Sequence, residues 1–292
     1  MPIRDPQTSL RLALPKGRMQ DGVLRLLSDA GLPIRVDERS YRPRAALDGI
    51  DAKLLKPQNI LHMLGAGLRD LGFAGRDWVD ELGVDVEEVL DTQLNPVQIV
   101  AAASPSLLID GELPTDRPLV VASEYQKLTQ DWVARRGLQA TFVRSYGATE
   151  AFPPDDADVI VDNTATGSTL RAHGLTIVEE LMRSSTRLYA SRQALSDPAR
   201  AAAIEDFALL VRSALDARTR VMLELNCPAE ALEPLVAALP CMRTPTVSPL
   251  HGELGFAVKA AVPRQDLARL VPTLKALGAT DLVVTEISQL VA

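Results

Sequence analysis

The stretch Asp162-Asn163-Thr164-Ala165-Thr166-Gly167-Ser168-Thr169-Leu170 holds the residue types that bind a phosphoryl group. An apolar run over residues 159–161 reads as a strand, which meets an acidic residue and then a Thr/Gly/Ser-rich turn opening a short helix. Small residues let backbone N–H groups approach an anion, hydroxyls add donors, and a helix start favours negative charge. Asp162 repels the phosphate itself, but at a strand end it can accept hydrogen bonds from ribose hydroxyls. The plainer reading is a strand-to-helix turn in which Thr166 or Ser168 caps the helix.

Three further segments carry charge where chemistry can use it. Leu14-Pro15-Lys16-Gly17-Arg18 ends the first strand with two cations about a glycine, which suits a di- or triphosphate, Arg18 binding bidentately. A solvated turn explains the same residues. Gly72-Phe73-Ala74-Gly75-Arg76-Asp77 is again a strand into a glycine turn and a helix, with Asp77 read equally well as an N-cap and Arg76 as a surface charge. The cations Arg39, Arg42, Arg44, Lys53 and Lys56 can focus a field on an anionic substrate or form a solvated face. His62, His173 and His251 lack zinc-site spacing, and Cys227, His62 and His173, with no base or nucleophile near them in sequence, are read as structural or incidental.

Composition bounds the rest. The chain has 292 residues, 47% of them hydrophobic and 24% charged, as expected of a folded globular protein of two or three domains. Its net charge of −7 argues against a nucleic-acid binder. No apolar run is long enough for a membrane span, and the first residues have no secretory apolar core, so no membrane is expected. Two cysteines, Cys227 and Cys241, suggest a reducing cytoplasm.

The elements that must position these residues alternate. Strands are expected at 10–14, 70–74, 99–103, 119–122, 141–143 and 158–161. Helices are expected around Val23–Ala30 spacing, around Ile60 and Leu64, and across 124–136. This α/β rhythm implies parallel sheets with crossover helices, whose ligands bind beyond the carboxyl ends of strands. From Arg218 the order changes to strand, helix, two strands as a hairpin about His251-Gly252, helix, strand. That is a ferredoxin-like (ACT-like) β-α-β-β-α-β unit. Within it Asn226, Thr246 and Ser248 lie at or near strand ends and suit a small amino acid.

Taken in order, these segments resemble the long form of the ATP phosphoribosyltransferase family, which opens histidine biosynthesis. Residues 12–18 look like its first strand and loop, 72–77 like its G-[IF]-x-G-R-D segment, and 162–170 like its phosphoribosyl diphosphate loop, D-x(3)-T-G-x-T-L. Residues 243–250 resemble a signature of its regulatory domain. The chain departs at Lys56-Pro57-Gln58-Asn59-Ile60, where the family commonly has Arg-Pro-x-Asp-Ile, at Leu94-Asn95-Pro96-Val97, and at Pro153-Pro154-Asp155-Asp156.

The resemblance implies two α/β domains like those of periplasmic binding proteins, at 1–104 with 185–217 and at 105–184, followed by the regulatory domain at 218–292. It implies transfer of 5-phosphoribose to N1 of ATP with release of pyrophosphate, Mg2+ as cofactor, feedback inhibition by histidine, and a cytoplasmic homo-oligomer, dimer to hexamer. Lys16, Arg18 and Asp162 would be catalytic. Asp162, Thr164, Ala165, Thr166, Gly167, Ser168 and Thr169 would hold phosphoribosyl diphosphate. Lys16, Arg18, Lys56, Gly75, Arg76 and Asp77 would face ATP or pyrophosphate, and Asn226, Thr246 and Ser248 the inhibitor. Two alternatives share the fold: a catalytically weakened regulatory paralogue and a non-enzymatic small-molecule binder.

Overall fold

The computed structural model describes residues 9–37 and 41–291, apart from the side chain of Glu253. They separate into two compact units, one of the described residues up to Arg25 with those of Ile34–Asp206, the other of Leu26–Pro33 with the described residues from Phe207 on. Arg39, one of the candidate cations, lies outside the described residues, as do the opening residues read above for a leader.

The first unit is built on one mixed sheet. Its strands are β1 (Leu10–Pro15), β4 (Ile50–Leu55), β5 (Leu71–Gly75), β6 (Val86–Ala103), β7 (Leu119–Ser123), β8 (Ala140–Arg144), β9 (Val159–Thr164) and β10 (Thr176–Ser191), in the order β4-β1-β5-β10-β6-β9-β7-β8. The short pair β2 (Ile34–Arg35) and β3 (Arg44–Ala45) stands apart from it. The helices are α1 (Gln20–Asp29), α2 (Pro57–Gly65), α3 (Arg76–Leu82), α4 (Gln126–Arg136), α5 (Ser168–Ala172), α6 (Arg192–Leu195) and α7 (Pro198–Thr219).

The expected parallel pairing holds at the two flanks, β4-β1-β5 and β9-β7-β8. The centre differs: β6 and β10 are long antiparallel strands that serve both flanks. The sequence reading finds only the last five residues of β6 and none of β10. The reason is composition, because Thr176–Ser191 carries glutamates, arginines and serines where burial is partial, so neither an apolar run nor a clean alternation marks it.

Each flank is an α/β lobe with its own core. In the first, Ile60, Leu61 and Leu64 of α2 pack on Ala13, Ala74 and Tyr189 of the sheet. In the second, alternation sorts neighbouring strand residues onto opposite faces. Ile99, Ala101, Val159 and Val161 face Tyr125 and Trp132 of the α4 side, while Val100, Ala102 and Ile160 face Leu170 and Leu175 of the α5 side. Burial on both faces explains why these strands read as continuous apolar runs.

The second unit contains β11 (Arg220–Cys227), α8 (Leu232–Ala238), β12 (Thr246–Pro249), β13 (Phe256–Pro263), α9 (Leu267–Ala276) and β14 (Thr280–Glu286). Their antiparallel order, β12-β13-β11-β14, is the ferredoxin-like one. Its core joins Val221, Leu223, Leu225 and Cys227 to Leu235, Val258, Val262, Leu270 and Leu274. Cys227 is thus a core residue, with its thiol pKa pushed up by burial. The division between the units falls at Asp206/Phe207, within α7, where the sequence reading draws it at 217.

Candidate functional site

The two strand-end loops richest in chemistry meet in the first unit. Lys16 and Arg18 follow β1, and Asp162 with Asn163 closes β9. Arg18 Nη1 donates to Asn163 Oδ1 at 3.2 Å, joining loops 145 residues apart in sequence. Two adjoining pockets share these two residues. One, of about 270 Å3, is lined by Arg18, Glu150 and the residues of the 162–170 loop other than Gly167. The other, of about 250 Å3, is lined by Gly75, Asp77, Trp78, Asn95, Tyr125 and Ser184 among others.

The 162–170 loop is shaped by its own side chains. Thr164, buried at the strand end, accepts from the Gly167 N–H at 2.8 Å. Gly167 takes φ +71°, a left-handed conformation that L side chains rarely adopt, and a Cβ there would meet Arg171 Nη1 at 2.9 Å. Thr166 and Ser168 hydroxyls lie 3.0 Å apart at the exposed rim. Arg171 donates to the Thr166 carbonyl at 3.0 Å, bringing a cation to the turn.

Asp162 is the perturbed carboxyl of the site. Burial raises its pKa to about 6, helped by the like charges of Glu150 and Glu124 and opposed by the Asn163 N–H and Arg18. The Asn163 N–H donates to its Oδ1 at 2.7 Å. A partly desolvated carboxyl acceptor beside a hydroxyl-lined turn suits a polyhydroxylated, phosphorylated ligand.

Asp77 sits in the first turn of α3 and is only 5% exposed. Its Oδ1 accepts from Ser184 Oγ at 2.6 Å and its Oδ2 from Tyr125 O–H at 2.8 Å. Tyr125 is stacked on Trp78 with ring centroids 4.7 Å apart. Burial and the Asp77 charge hold the Tyr125 phenol well above its ordinary pKa, so it is a hydroxyl donor.

Of the residues singled out from sequence, Arg18, Gly75, Asp77, Asp162, Thr164, Ala165, Thr166, Ser168 and Thr169 line one pocket or the other. Lys16, Lys56 and Arg76 do not. The Lys16 ammonium lies 4.3 Å over the ring of Tyr41, Lys56 is exposed at the start of α2, and Arg76 pairs with Asp80 one turn on. Asn163, Tyr125, Ser184 and Asn95 were missed. Asn163 lies inside the motif without a role, Tyr125 lies within the helix expected across 124–136 with no role assigned, and Ser184 falls on the unread β10.

In the second unit the register sets Ser248 and Asn226 on either side of Ala257, with Thr246 two pairs along, opposite Lys259. Asn226 Nδ2 donates to Asp281 Oδ2 at 3.1 Å. Sequence reasoning did not find this carboxylate.

Fold and site together define a two-lobed α/β protein with two adjoining pockets between its lobes, bordered by Arg18 and Asn163, and a C-terminal ferredoxin-like domain. The family model described as ATP phosphoribosyltransferase matches residues 56–213, and that of the HisG C-terminal domain matches 217–289. ATP phosphoribosyltransferases of Chlorobium luteolum and Chlorobium phaeobacteroides are 38% and 36% identical over 290 residues, covering 97% and 98% of this chain and the same shares of theirs. A chain of the ATP phosphoribosyl transferase (HisG:HisZ) complex from Thermotoga maritima superposes with TM-score 0.63 at 23% identity, over 71% of this chain and 98% of that one, which shows the shared fold. The chain belongs to the ATP phosphoribosyltransferase family, in its long form, and is a pentosyltransferase of histidine biosynthesis.

Proposed function

We propose that this chain joins 5-phosphoribosyl diphosphate to N1 of ATP at the Arg18–Asn163 junction. The N1–C1 bond forms as the C1–O bond to pyrophosphate breaks, and pyrophosphate leaves with the electron pair. Positive charge develops on the sugar, so the protein chiefly has to hold three anionic groups in place. The observation that carries the reading is Arg18 at the border of both pockets: a guanidinium there can clamp the leaving diphosphate between the sugar and the second substrate.

Residues 166–169 would hold the 5-phosphate by hydroxyls and backbone N–H groups, and Asp162 the ribose hydroxyls. Lys16, Lys56 and Arg76 reach ATP or pyrophosphate only by swinging from their present positions. Asp162 and Glu150 offer hard oxygen donors on one pocket wall, which fits a Mg2+ that keeps most of its ligands from diphosphate and water. When bound, that ion supplies neutralisation of the diphosphate charge.

The lobes would divide near 104 and 184–185, as expected from the resemblance, with the first unit ending at Asp206 rather than 217. Histidine would bind the second unit at Asn226, Thr246 and Ser248, with Asp281 adding a carboxylate for an α-ammonium group, and the working form would be a cytoplasmic homo-oligomer, dimer to hexamer. No described helix is long and apolar enough to cross a membrane. The test is pyrophosphate release from ATP and phosphoribosyl diphosphate, with Mg2+ and with EDTA, and with and without histidine. Release that needs both substrates and falls with histidine is expected. Binding of the substrates without release would instead favour the non-enzymatic reading.

A further inference from the structure

Asp77, Tyr125, Asn163 and Arg18 form one hydrogen-bonded chain running from the first lobe, through the second, to the loop after β1. Tyr125 O–H donates to Asp77 at 2.8 Å, Asn163 Nδ2 donates to the Tyr125 oxygen at 3.2 Å, and Arg18 Nη1 donates to Asn163 Oδ1 at 3.2 Å. The ends fix the direction of every bond between them. A carboxylate only accepts and a guanidinium only donates, so the single phenol proton points to Asp77 and the phenol oxygen must accept. That in turn sets the Asn163 amide with nitrogen toward Tyr125 and oxygen toward Arg18. Asp162 requires the same orientation independently, since its Oδ1 accepts from Asn163 Nδ2 at 3.2 Å.

The inner end of the chain is rigid. Asp77 receives a second donor, Ser184 Oγ, and its own N–H donates back to that oxygen at 3.1 Å. Tyr125 is 1% exposed and held by the Trp78 ring. Rigidity declines outward to Arg18, whose side chain is exposed and whose contact with Asn163 is the single side-chain hydrogen bond described for it.

We infer that Asp77 and Tyr125 are positioning residues for the transfer reaction: through Asn163 they aim the Arg18 guanidinium at the diphosphate, and Asp77 itself does not contact ATP. This rests on the proposed function and deepens it. The arrangement also ties both lobes to one cation, so the clamp is formed only when the lobes hold this relative position.

The experiment is a double-mutant cycle on pyrophosphate release by the full chain, with Tyr125→Phe, Asn163→Ala and Arg18→Ala singly and in pairs. Thermal melts run beside the kinetics. Tyr125→Phe keeps the ring packing, and Asn163→Ala leaves the Asp77–Tyr125 bond untouched, so if the first variant melts early the second carries the test. Each is expected to raise KM for phosphoribosyl diphosphate about tenfold with Arg18 present and to change it less than about twofold in the Arg18→Ala background, as coupled sites do.

Additive losses in the two backgrounds, or unchanged KM in both single variants, would overturn the relay while leaving the activity standing. Absence of release by the unaltered chain would instead remove the proposed function. A purely structural role predicts equal proportional losses whether or not Arg18 is present.

Discussion

Asp162 concentrates the conflict between stability and function on one side chain. Its folded-state pKa, about 6, lies above the ordinary carboxylate value, so the folded chain holds this proton more tightly than the unfolded one. The ionised form therefore works against the fold above pH 6, by about 3 kcal/mol for a shift of roughly two units, and that penalty fades as pH falls through 6 toward 4. Asp162→Asn should raise the melting temperature at pH 8, with the gain shrinking at pH 5, while pyrophosphate release falls by a factor of about 10–150. Parallel loss of stability and activity would mark Asp162 as structural. The hydroxyls behave differently. Thr166 and Thr169 are exposed at the pocket rim, so Thr166→Val or Thr169→Val should weaken phosphoribosyl diphosphate binding by about 10–150-fold, read by titration calorimetry, with an unchanged melt.

At the scale of elements, a contact in the turn into α5 and another at the start of α3 can each be removed by a single substitution. Thr164→Val leaves the Gly167 N–H without its 2.8 Å partner, so both stability and phosphoribosyl diphosphate affinity should fall, unlike the two rim threonines. Gly75 precedes α3 with an ordinary φ of −75°, so its need for glycine is spatial: an added Cβ would lie 2.2 Å from Asp77 Oδ1. Gly75→Ala should displace Asp77 from Ser184 and Tyr125, destabilising by about 1–3 kcal/mol in urea unfolding and raising KM as Tyr125→Phe does. An alanine variant indistinguishable from the parent in both assays would show that Asp77 has room to move.

The motifs that stand out in sequence, residues 14–18, 72–77 and 162–170, all fall at strand ends, because that is where an α/β sheet exposes backbone to a ligand. What connects them was not legible. Asn163, Tyr125 and Ser184 carry no motif of their own, and the contacts that join them to one another, to Asp77 and to Arg18 span 38 to 145 residues.

For the whole molecule, the proposed histidine response is tested by separating the second unit from the first. The core of the ferredoxin-like sheet is drawn wholly from residues 221–282, so a fragment of 218–292 should melt cooperatively on its own. The second unit also includes Leu26–Pro33 and the later part of α7, where Arg218 pairs with Asp29 at 2.7 Å and the Leu290 N–H donates to the Ser213 carbonyl at 3.0 Å. A chain ending at Ala217 loses both contacts. It should release pyrophosphate, melt earlier than the full chain, and no longer respond to histidine, because an effector acts only through differential binding to two states. Inhibition of that shortened chain by histidine would place the effector site within residues 1–217.

Local pattern alone determined that the chain is an α/β protein with a ferredoxin-like end, and that a Thr/Gly/Ser-rich turn follows the apolar strand at 159–161. Apolar periodicity and short turn motifs are properties of neighbours in sequence. The tertiary structure decided the rest: that β6 and β10 run antiparallel through both lobes, that Arg18 rather than Lys16 reaches the cleft, and that Asp77 faces Tyr125 and Ser184. Those outcomes depend on which distant strand ends the sheet order brings together. A hydrogen bond between loops 145 residues apart leaves no trace in the spacing of either one.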